Sequence, residues 1–174
     1  MSQRERSLRP GPICVEAVQW NVEENIMNPR EIVQALLDSI QRGDFEKVSS
    51  LVSHDCQFTG SGPEPIRCEV WMGLTRNLKK AFPNIDYHFH VDRVDGLSGH
   101  LVKISAELKG THSGVLDLSP LGLGVTPATN KSFATPCEHI KVTIKDSKVV
   151  SWVVEPIDGG GLMGILDQLG ILLL

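Results

Sequence analysis

Residues 133–157 read FATPCEHIKVTIKDSKVVSWVVEPI, and the fold turns on this stretch. Residues 133–144 and 149–157 are two runs in which apolar side chains alternate with polar ones, the period of a strand with one buried face. Asp146 and Ser147, between Lys145 and Lys148, supply a compact turn, so the two runs read as an antiparallel hairpin. Upstream, Tyr87, Phe89 and Val91 alternate with His88 and His90, and residues 101–109 form another alternating run after Gly99. Strands of this kind carry an apolar face that something must cover.

The cover lies earlier in the chain. Asn28, Pro29 and Glu31 make a helix start, with Asn28 as the cap, Pro29 at the first helical position and Glu31 closing a capping box. Ile32, Ala35, Leu36 and Ile40 then recur at helical spacing up to Gly43. Asp44 caps a shorter helix with Phe45, Val48 and Leu51 or Val52 on its apolar face; residues 56–59 read as a short strand and 60–65 as a turn. A third helix is expected over residues 66–82, striped by Val70, Leu74, Leu78 and Phe82 and stopped by Pro83. Helices first and antiparallel strands after them give an α+β fold. A final helix is expected over residues 162–170, and the apolar tail 171–174 is expected to pack on the body or a partner.

The chain has 174 residues, 41% of them hydrophobic, enough for one domain with a substantial core. We divide it into an N-terminal arm, residues 1–28, and a single domain, residues 29–174. Seventeen Lys and Arg against 21 Asp and Glu leave a net charge of -4, which argues against a generally basic nucleic-acid binder. The first two helices make a helix-turn-helix in shape only, without a basic recognition face. No apolar stretch reaches the 18 to 20 or so residues of a membrane span, and the basic start runs into Pro10, Gly11 and Pro12 rather than a signal sequence. Cys14, Cys56, Cys68 and Cys137 are too far apart for a compact zinc motif and point to reduced thiols in a cytoplasmic compartment, with organelle targeting left open. Residues 114–130 are too apolar for a solvated loop and too broken by Pro and Gly for a strand. They are expected to fold over an apolar cavity or an oligomer contact.

Together with this order of elements, Gly110, Thr111, His112, Ser113 and Gly114, then Asn130 and Lys131, Trp152, and the terminal Gln168, Leu169 and Gly170 resemble the SnoaL-like polyketide cyclase branch of the nuclear transport factor two-like superfamily. The resemblance covers roughly residues 29–170. It implies a curved antiparallel β-sheet, a cone-like half barrel covered by N-terminal helices, with a hydrophobic pocket inside, and commonly a homodimer. The chain departs from the pattern where residues 128–131 read Ala-Thr-Asn-Lys at the turn, where Ser151 stands in place of the His that often precedes the Trp, and in a longer connecting segment and a longer approach to the last helix at residues 159–161.

His112 shares strand parity with Val102, Ile104, Ala106 and Leu108, so it is expected inside, either as an acid or base or as a hydrogen-bond donor that fixes the adjacent loop. Glu155 and Asp158 compete for the role of pocket carboxylate; the bland alternatives are a solvated or lysine-paired Glu155 and an Asp158 that caps the last helix. Trp152, Leu116, His139 and His88 are the candidate substrate contacts. His88 and His90 are two residues apart but lack further ligands for a zinc sphere, and residues 159–161 lack the order of a phosphate loop, reading instead as a sharp turn with close backbone approach. The expectation is an enzyme without metal or other cofactor, a cyclase, isomerase or hydratase/dehydratase acting on a small hydrophobic carbonyl compound. A noncatalytic binder of a hydrophobic metabolite and a dimeric interaction module stand as alternatives.

Overall fold

The computed structural model describes residues 27–60, 64–95 and 100–171. The expected arm thus falls outside the described residues except for Met27 and Asn28, as do residues 172–174 of the tail and part of the 60–65 turn.

Helix α1, Pro29–Arg42, starts as its sequence dictates: Asn28 accepts from the Glu31 amide at 3.0 Å, and Glu31 accepts from the Asn28 amide at 3.0 Å. Gly43, at φ 76°, ends it in the left-handed region that glycine adopts without strain. Its buried face holds Ile32, Val33, Leu36, Leu37 and Ile40, each such side chain contributing about 1.5–3 kcal/mol by leaving water. Helix α2, Phe45–Leu51, is capped by Asp44 and leads directly into strand β1, Val52–Thr59. The third helix starts later than expected. Ile66–Arg67 instead form β2, paired with Phe58 and Gln57, and α3 runs Cys68–Ala81.

Strands β3 (His90–Asp95), β4 (Leu101–Ala106), β5 (Lys109–Thr111), β6 (Leu116–Asp117), β7 (Val125–Thr126), β8 (Ser132–Ala134), β9 (Glu138–Lys145) and β10 (Lys148–Val154) follow, and α4 spans Gly161–Leu169. Between β9 and β10, Asp146 and Ser147 sit at φ 50° and 58°, the left-handed pair that a tight hairpin needs. The alternating run expected over 87–91 becomes a strand only from His90, because His88 at φ 42° breaks the extended backbone. The 101–109 run divides into β4 and β5, and β5 pairs with β8 in a separate small sheet.

The main sheet has the order β2-β1-β10-β9-β4-β3. It corrects the expected curved antiparallel cone-like half barrel under N-terminal helices in three respects. β1 runs parallel to β10, which the long connection between them permits, so the sheet is mixed. Its edges β2 and β3 are not joined to each other, so it is open rather than closed on itself. Helix α4 follows the sheet and adds Ile165, Leu166 and Leu169 to the core built by α1–α3 and the strands, so the helices do not all come first.

Candidate functional site

On the inner face of the sheet, alternation along β9 buries Glu138, Ile140, Val142 and Ile144 while His139, Lys141 and Lys145 are exposed. Trp152 of β10 is buried on the same side and lies 5.9 Å from Trp71 of α3, ring centre to ring centre. Trp71 stacks on Phe58 at 4.1 Å, and Phe89 meets Trp152 edge-on at 6.4 Å and stacks on Tyr87 at 5.1 Å. These five rings form one continuous aromatic wall.

The wall bounds a cavity of about 630 Å³. Leu74 and Leu78 of α3 line it, as do Leu162, Met163 and Ile165 of α4. The apolar connection also contributes: Leu118, Leu121 and Leu123 face the cavity from the β6–β7 segment, as expected of a stretch too greasy for water. Asn77 anchors that segment by donating to the Asp117 carbonyl at 2.9 Å.

Few polar groups interrupt this lining. Thr75 donates to the Trp71 carbonyl at 2.8 Å, and Glu64 is exposed. Glu138 is 5% exposed, and burial pushes its carboxyl above the usual glutamate range, although the Gly161 amide donates to Oε1 and pulls the other way. Its second oxygen takes no hydrogen bond from the described residues. That amide opens α4, so a carboxylate meets the positive end of the helix. The contact requires glycine at 160, where a Cβ would stand 2.7 Å from Glu138 Oε1 and 2.6 Å from Ile157 Cγ2. Tyr87 completes the polar set, its hydroxyl buried without a partner among the described residues.

The residues singled out from sequence are dispersed. Trp152 lines the cavity. His112 is buried but is not among the cavity-lining residues: its Nδ1 accepts from the Thr129 amide at 3.3 Å and lies 3.0 Å from Thr129 Oγ1, and its ring packs 5.2 Å from Phe82. Its Nε2 has no partner among the described residues. Burial lowers its pKa. His112 also accepts from the Asn130 amide at 2.8 Å and donates to the Lys131 carbonyl at 2.9 Å, tying together the two ends of the apolar connection.

Leu116 is fully buried in the core and does not line the cavity. Glu155 is exposed on the outer face, 2.6 Å from Lys141, whose charge and hydrogen bond hold its carboxyl below the usual range. His139 shares that face, where a separate polar groove of about 360 Å³ also includes Lys103 and Asp92. Asp158 is exposed in the turn before α4, and the helix takes its first-turn contact from Glu138, with no capping bond from Asp158. His88 is exposed.

Glu138 and Tyr87 are the groups that sequence reasoning passed over. Glu138 shares parity with Ile140, Val142 and Ile144, a signal present in the chain. Gln168 exchanges two 3.0 Å hydrogen bonds with the Ala134 backbone, Leu169 is buried and Gly170 ends α4 at φ 71°, so the Gln-Leu-Gly ending docks the last helix on β8. Among the described residues, no cluster of three His, Cys, Asp or Glu side chains is arranged to hold a metal ion, and no helix is long and apolar enough to cross a membrane.

No protein-family model and no curated protein matches the sequence. Solved structures do match. A "putative polyketide cyclase" from Pseudomonas putida KT2440 aligns with a TM-score of 0.60 and 14% identity over 82% of this chain and 98% of its own. A "putative SnoaL-like polyketide cyclase" from Jannaschia sp. CCS1 aligns at 0.60 and 17% identity over 81% and 90%. AclR, a "putative hydroxylase" from Streptomyces galilaeus, aligns at 0.60 and 17% identity over 83% and 85%. The chain has the fold of structures named SnoaL-like and polyketide cyclase, which bears out the resemblance read from its motifs; at these identities the likeness is one of fold.

Proposed function

We propose that the chain is a cofactor-independent enzyme that moves a proton on a small apolar carbonyl compound, with Glu138 as the acid–base group. The observation that carries this is a buried carboxyl, its pKa raised by burial, in the wall of a largely apolar cavity. Once ionised, such a carboxylate is a stronger base than one in water. It takes the proton from the carbon beside the carbonyl, and the C–H electron pair becomes the enolate. The protonated Glu138 then returns the proton to a different carbon in an isomerisation, or to the alkoxide formed when the enolate attacks a second carbonyl in a cyclisation. His112 serves this site indirectly, by fixing the connection whose leucines close the cavity. The cyclase names carried by similar structures support the reading without specifying a substrate.

The test is α-proton exchange of 2-tetralone in D2O, followed by proton NMR. The wild type accelerates exchange, and Glu138→Gln returns the rate to that of buffer while still binding the ketone. A second reading, a noncatalytic binder, is favoured by the fact that one oxygen of Glu138 is engaged by the Gly161 amide. Ketone binding by the wild type without accelerated exchange selects that reading. The proposal also includes a homodimer and a cytoplasmic compartment, checked by light scattering and cell fractionation.

A further inference from the structure

Tyr87 is the single tyrosine of the chain. Three contacts hold it: its amide donates to Gln41 Oε1 at 3.0 Å, its carbonyl accepts from the Glu107 amide at 3.2 Å, and its ring stacks on Phe89 with an interplanar angle of 2°. The residue lines the cavity, yet its hydroxyl is buried and has no hydrogen-bond partner among the described residues. A phenylalanine would pack the same wall without the penalty of an unpaired buried hydroxyl. Two other polar groups of the lining are engaged, the Thr75 hydroxyl by the Trp71 carbonyl and the Gly161 amide by Glu138. Burial raises the phenol pKa further, so the hydroxyl keeps its proton and acts as a donor.

We propose, on the reading of the cavity as a small-molecule site, that Tyr87 is a specificity-determining donor whose hydroxyl binds the carbonyl oxygen of a neutral, flat ligand lying against the aromatic wall. That oxygen is the atom on which negative charge develops when Glu138 removes the neighbouring proton, so one hydrogen bond serves both recognition and chemistry.

Two isosteric probes separate the idea from the reading beneath it: 2-acetylnaphthalene, which carries an acceptor oxygen, and 2-isopropenylnaphthalene, which carries a methylene in its place. Affinities are read by displacement of the neutral dye N-phenyl-1-naphthylamine from the full-length chain. The wild type is expected to bind the ketone about tenfold more tightly than the hydrocarbon, and Tyr87→Phe to bind both with the hydrocarbon's affinity. Unchanged hydrocarbon binding by Tyr87→Phe shows that the cavity is intact. A ketone preference that survives in Tyr87→Phe, or is absent from the wild type, overturns the role of Tyr87 and leaves the small-molecule site standing. Failure of dye and both probes to bind the wild type overturns both.

Discussion

Gly114 closes the Gly-Thr-His-Ser-Gly segment, and its replacement by alanine tests how that segment holds the apolar connection. A Cβ at this position would stand 2.1 Å from the Lys80 carbonyl oxygen, 3.1 Å from its carbon and 3.2 Å from Ala81 Cα, all backbone atoms that cannot rotate aside. Relief requires the segment to withdraw from the end of α3 by about 1 Å. The amides of Ser113 and Gly114 donate to the Ala81 carbonyl at 3.1 and 2.9 Å, and such a withdrawal breaks both bonds. Two lost hydrogen bonds at about 0.5–1.5 kcal/mol each, together with residual overpacking, bring the expected cost of Gly114→Ala to about 2–4 kcal/mol. Urea unfolding followed by tryptophan fluorescence measures it, with Ser113→Ala, whose side chain is exposed, as a control expected within about 0.5 kcal/mol of wild type. The melting temperature should fall by roughly 10 °C. Because Leu118, Leu121 and Leu123 follow on the same segment, dye binding in the cavity should weaken as well. A Gly114→Ala protein within about 1 kcal/mol of wild type would refute the argument that close backbone contact dictates this glycine.

Glu138→Gln keeps an acceptor for the Gly161 amide but cannot ionise. Because burial raises the Glu138 pKa from 4.5, the folded wild type holds more protons than the unfolded chain between 4.5 and the folded value, and its stability falls as pH rises through that window. The stability of the glutamine variant relative to wild type should therefore climb with pH above 4.5 and level off beyond the folded pKa, at about 1.4 kcal/mol per unit of elevation; a difference independent of pH would show that burial does not perturb the group. Glu155→Gln removes one member of an exposed ion pair on the outer face, so its urea midpoint and 2-tetralone exchange rate should match the wild type. Loss of exchange in that variant would move the chemistry out of the cavity.

Much of this protein is written in short-range pattern. The capping box at Asn28–Glu31, the left-handed turn at Asp146–Ser147 and the alternation along β9 each depend on residues a few places apart, so sequence alone determined the start of α1, the hairpin and the inward parity of Glu138. It also carried the likeness in fold, through His112 and the Gln-Leu-Gly ending. Only the tertiary structure decided that β1 runs parallel to β10, that Asp158 faces water, and that His112 spends its imidazole on Thr129 instead of facing the cavity. The same holds for the pairing of Glu138 with the start of α4, which depends on Gly160 permitting the approach. The division has a physical cause: a turn or a strand face is set by neighbours along the chain, whereas the perturbed pKa and the ligand space of a buried carboxyl are set by everything that excludes water around it.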